Sequence, residues 1–108
     1  MQNKKKLIAK ANREGFISRD KLDWPNDSYW YLWMCELSQW LRVKHGINVY
    51  IESDRKKGYY GSFQSDKLRP FEYSDEYLDE DFHDNYDDCF CNVLIECLIH
   101  IRSLKFYQ

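Results

Sequence analysis

The sequence predicts an α+β fold: a small single domain with an α-β-β-α core, in which a two-stranded antiparallel hairpin packs on two long helices and a short helix precedes them. Three observations carry this. Apolar residues recur at three-and-four spacing between Asp27 and Gly46; two alternating segments flank a polar, glycine-bearing turn at 47–64; and a second apolar helical segment runs from Asn85 to about Leu104. A chain of 108 residues suits one unit with a modest core.

In chain order, residues 4–14 can form a short helix with Leu7, Ile8 and Ala11 on one side and Gly15 after it. Such a helix is marginal alone, so it must dock or remain a basic arm. Residues 1–24 form that arm, with Phe16, Ile17, Leu22 and Trp24 tying it to a core over 27–104. From Asp27, Trp30, Trp33, Met34, Leu37, Trp40 and Leu41 make one broad apolar face. Asp27 is the expected cap, Lys44 and His45 suit the negative end of the helix dipole, and Gly46 suits a left-handed stop.

Ile47, Val49 and Ile51 alternate with Asn48, Tyr50 and Glu52, the pattern of a half-buried strand. After Asp54–Gly58, residues 59–64 read as its antiparallel partner. Tyr59, Gly61 and Phe63 share one face of it; Tyr60, Ser62 and Gln64 share the other with Tyr50. The last helix is expected to open at Asn85 as cap, with Asp87 and Asp88 in its acidic first turn. Asn92, Glu96 and His100, four apart, line the stripe expected to stay open.

Charge divides the chain. Residues 1–21 carry seven Lys or Arg against two acids, whereas residues 72–108 carry two against ten. Nine of the seventeen positions from 72 to 88 are acidic, with Tyr73, Tyr77, Leu78, Phe82 and Tyr86 interleaved. A loop that is only solvated does not need those rings, whereas a contact surface does. The candidate partner-binding residues in this acidic-aromatic insertion are therefore Asp75, Glu76, Tyr77, Asp79, Glu80, Asp81, Phe82 and Asp84. A second candidate surface is basic: Lys4, Lys5, Lys6 and Arg13 on the arm and Arg55, Lys56 and Lys57 at the hairpin tip suit phosphates, with Tyr60 or Tyr50 to stack on a base.

Catalytic chemistry finds little support. There is no nucleophile elbow, phosphate-binding glycine loop or dinucleotide fingerprint, so no catalytic residue, no metal ligand set and no cofactor are assigned. Glu96 with His100 makes at most half a metal site, and the acids around His83 lack the calcium-loop pattern. Cys35, Cys89, Cys91 and Cys97 fall within helical segments, where reduced core thiols are the expectation. No apolar run is long enough for a signal peptide or a membrane span, so a cytoplasmic protein is expected.

The arrangement WLRVKHGINVYIES, then GYYGSF, then YDDCFCNVLIECLIHI resembles a family of small proteins carried by phages and prophages of gut-type bacteria. Trp40, Leu41, Arg42, His45, Ile47, Val49, Ile51, Tyr60, Tyr86, Asp87 and Asp88 carry the resemblance, which covers about residues 30–101. It has no catalytic residues to transfer, and the basic N-terminus and the acidic insertion depart from its pattern. It implies an inhibitor of host defence, similar to anti-CRISPR proteins, some of which are acidic mimics of nucleic acid. The resulting expectation is a non-enzymatic protein that binds a bacterial defence nuclease, or its RNA–protein complex, in the host cytoplasm. A small nucleic-acid-binding domain using the basic residues is the alternative, and a self-associating homodimer that covers the apolar terminal helix is a third.

Overall fold

The computed structural model describes residues 2–17, 29–65 and 82–106. They form α1 (Gln2–Arg13), α2 (Trp30–His45), β1 (Ile47–Asp54), β2 (Gly58–Ser65) and α3 (Tyr86–Phe106). The α+β architecture is the one that the periodicities predict. β1 and β2 pair antiparallel from Ile47↔Ser65 to Asp54↔Gly58, so only Arg55–Lys57 make the turn. Asp54 builds that turn: its Oδ1 accepts the N–H groups of Lys56 at 2.8 Å and Lys57 at 3.1 Å. Those two backbone donors hold its carboxyl below the usual carboxylate range.

α3 is the central element, packing on α1, α2 and both strands. Leu94 and Cys97 at its middle are fully buried, together with Leu7 and Ala11 of α1, Met34, Leu37 and Leu41 of α2, and Leu98. Each large apolar side chain so buried contributes about 1.5–3 kcal/mol against an exposed one. The basic N-terminal segment is thus not a loose arm. α1 lies on α3, and the largely buried carboxylate of Glu14 just beyond it meets the Arg102 guanidinium at 3.7 Å.

The ends of α2 differ from one another. Gly46 closes it as expected, left-handed at φ 66°, with its N–H donating to the carbonyl oxygens of Arg42 and Leu41. At the start the helix begins at Trp30 with Tyr29 in the cap position and no side-chain cap bond. Asp27, expected to cap, lies outside the described residues. Of the expected stripe Trp30, Trp33, Met34, Leu37 and Leu41 are buried, while Trp40 is half-buried between Phe16, His45 and the Lys44 ammonium, 5.7 Å above its ring.

α3 opens where predicted. Asn85 Oδ1 accepts the N–H groups of Asp87 at 2.8 Å and Asp88 at 3.2 Å, satisfying two donors the helix leaves open. Asn85→Ala is expected to cost about 1 kcal/mol in urea unfolding; an unchanged midpoint would show that water serves those donors equally well.

One expectation about α3 is corrected. His100 does not lie on an open stripe: its ring is 5.3 Å from that of Phe63 in β2, and burial holds its imidazole below the usual histidine range. Beyond its first turn, the exposed positions of α3 among the described side chains are Asn92, Ile99 and Ser103. The hairpin covers more of the helix than the polar residues of the sequence suggest, because Gly61 lets β2 approach closely. A Cβ at Gly61 would lie 3.0 Å from Val93 Cβ and 3.4 Å from Cys89 Sγ. No helix among the described residues is long and apolar enough to cross a membrane.

Candidate functional site

The hairpin tip and the start of α3 form one surface, joined by a short third segment. Tyr59 N–H donates to the His83 carbonyl oxygen at 2.7 Å, and His83 N–H donates to the Tyr59 carbonyl oxygen at 2.7 Å. This reciprocal antiparallel pair clips residues 82–84 to the outer edge of β2. Rings follow the clip: Tyr60 meets Phe82 edge-on at 5.1 Å, Tyr59 meets Tyr86 at 5.7 Å, and the Lys57 ammonium sits 5.4 Å over Phe82. The Tyr60 hydroxyl donates to Glu52 Oε2 across the strands.

Two sets of residues that the sequence assigns to different roles therefore meet here. Phe82, from the acidic-aromatic candidates, is held by Lys57 and Tyr60 from the basic ones. Tyr60 is engaged at both its ring and its hydroxyl, so it is not presented as a free stacking platform for a base. Asp84 is exposed beside Phe82, as are Asp87 and Asp88 in the first turn of α3 and Arg55 and Lys56 in the hairpin turn. Asp75, Glu76, Tyr77, Asp79, Glu80 and Asp81 lie outside the described residues.

The remaining basic candidates are on α1, which packs against α3. Lys4 lies 5.0 Å over the Trp30 ring, so its stem helps cover that indole. Lys6 and Arg13, with Lys10 between them, surround a shallow concavity of about 330 Å³. Lys10, one of the basic residues of the 4–14 segment, falls four residues after Lys6 and so on the same face of the helix.

A third feature was not legible in the sequence. A groove of about 470 Å³ opens between α2, β1 and the start of α3, with Tyr31, Arg42, Asn48 and Tyr86 in its wall. Tyr31 and Tyr86 come within 6.2 Å, centroid to centroid, and Phe90 lies 6.1 Å from each. The neighbouring Cys35 thiol and then Tyr86 push the Tyr31 hydroxyl up to about 12, so it stays protonated at neutral pH.

The other reactive groups are subdued. All four cysteines are free; burial raises the thiols of Cys89 and Cys91 to about 11 and that of Cys97 further, which suppresses the nucleophilic thiolate. Among the described residues no group of three or more His, Cys, Asp or Glu side chains is placed to hold a metal ion. No protein-family model matches the chain, and no curated protein or solved structure matches it.

Proposed function

We propose that this is a non-enzymatic, phage-type binding protein that engages and inhibits a nucleic-acid-handling bacterial protein, a defence nuclease, through its acidic and aromatic surface. The observation that supports this reading is the start of α3. Asp84, Asp87 and Asp88 are exposed there, and the cap at Asn85 and the clip at His83 hold the backbone that carries them. Carboxylates fixed in this way compete with a phosphate backbone for a cationic groove without ordering a loop on binding. Phe82 and Tyr86 beside them supply contact area that salt does not screen.

The test is capture of a defence nuclease from nuclease-treated bacterial lysate, followed by a DNA-cleavage assay with the captured enzyme. Changing Asp84, Asp87 and Asp88 together to lysine is expected to abolish both capture and inhibition. The asparagine triple variant, whose fold is checked by circular dichroism, is expected to weaken them about tenfold or more, from lost charge-assisted contacts. Full inhibition by both variants would remove the reading.

A second reading is supported by the concavity on α1. Lys6, Lys10 and Arg13 converge there in a spacing that can follow a phosphate backbone, which suits a small nucleic-acid-binding domain. Affinity for single-stranded RNA that falls steeply with salt, and that drops in a Lys6→Gln, Arg13→Gln variant, would favour it over inhibition.

A further inference from the structure

We propose that the groove between α2, β1 and the start of α3 binds a single nucleotide unit, a planar base carrying a phosphate. The site is separate from the α1 concavity and adjoins the acidic surface, with which it shares Tyr86.

Charge comes first. The chain has 18 acidic against 16 basic residues, yet among the described residues that line the groove there is no Asp or Glu, and Arg42 is the one cation. Within that wall, the Arg42 guanidinium is the group that an anion would meet. Arg42 sits in the last turn of α2 and is exposed, and a guanidinium there offers the two parallel N–H donors that match a phosphate.

The remainder of the wall asks for more than an anion. Tyr31 and Tyr86 are 45% and 38% exposed, large flat rings from two different helices, with Phe90 buried behind them. Aromatic faces that converge at a partly open groove are the usual platform for a base. Gln39 and Asn48 also line it, and each carries both amide donors and a carbonyl acceptor, which is what a base edge requires. A volume of about 470 Å³ is sufficient for a mononucleotide. Inorganic phosphate would satisfy Arg42 alone and leave the rings and both amides unused.

The experiment titrates the full-length protein with AMP, GMP, CMP and UMP, following intrinsic fluorescence and calorimetry. At least one is expected to saturate at one to one. Arg42→Gln, and separately the matching nucleoside without its phosphate, are expected to weaken binding about tenfold or more. Tyr31→Ala is expected to weaken it at least severalfold, while Asn92→Ala, exposed on α3 outside the groove, leaves it unchanged. These side chains are exposed, and circular dichroism confirms that each variant remains folded. A 5′-phosphorylated oligonucleotide run in parallel separates the sources: tighter binding of the oligonucleotide assigns the site to a strand end, and tighter binding of the monomer assigns it to a free nucleotide. Absence of saturable binding by all four nucleotides up to millimolar concentration would overturn the proposal, as would binding that survives Arg42→Gln or Tyr31→Ala unchanged.

Discussion

Leu94→Ala is expected to lower the free energy of unfolding by about 2–5 kcal/mol, read from urea denaturation followed by tryptophan fluorescence. Leu94 is fully buried at the middle of α3, and α3 is the element that every other element touches. A cavity there is walled on several sides, so no single helix can move in to fill it, and the cavity penalty adds to the lost transfer energy. Domains of this kind are stable by only about 5–15 kcal/mol, so one such change removes a large share. Ile99→Ala on the same helix is the control. Ile99 is 40% exposed, and its truncation should cost well under half as much. Equal losses at the two positions would mean that α3 does not form the centre of the core.

Gly58→Ala is the second large effect, expected at about 2–4 kcal/mol from backbone strain plus a weakened backbone pair. Gly58 has φ +104°, outside the range that L-residues adopt readily, and a methyl group on it would collide with the His83 carbonyl oxygen. That oxygen is the acceptor for Tyr59 N–H, so relief of the collision means opening the clip that holds Phe82 and Asp84 on the hairpin. Gly15→Ala separates the two causes. Gly15 has φ +96° with nothing within 4 Å of the added carbon, so it incurs strain without collision and should cost about 1 kcal/mol. If the acidic surface works as proposed, Gly58→Ala also weakens nuclease capture in excess of its effect on the folded fraction, whereas Gly15→Ala does not. Equal effects of the two substitutions would show that the clip contributes nothing beyond backbone strain.

Leu37 and Leu41, four apart, are buried as their spacing requires, and Asn85 caps α3 as its place before two acids suggests. Trp40 shares the spacing but is only half-buried: it packs at the edge of the core against Phe16, with the Lys44 ammonium over its ring. His100 misleads for the converse reason: as a polar residue it reads as solvent-facing, whereas the close approach permitted by Gly61 brings Phe63 of β2 against its ring. Among the candidate site residues, exposure of Asp84 follows from its charge. The contact of Phe82 with Lys57 and Tyr60 has no local signal at all.

Local periodicity, capping and turn chemistry alone determined the types and order of the elements, the hairpin and its faces, and most of the core, because each depends on residues within a turn or a strand of one another. The tertiary structure decided that α1 docks on α3, that Tyr59 clips His83, and that Tyr31, Arg42 and Tyr86 surround one groove. Those arrangements join residues distant along the chain. Their geometry is set by how buried faces pack against α3, and packing leaves no periodic trace in the sequence.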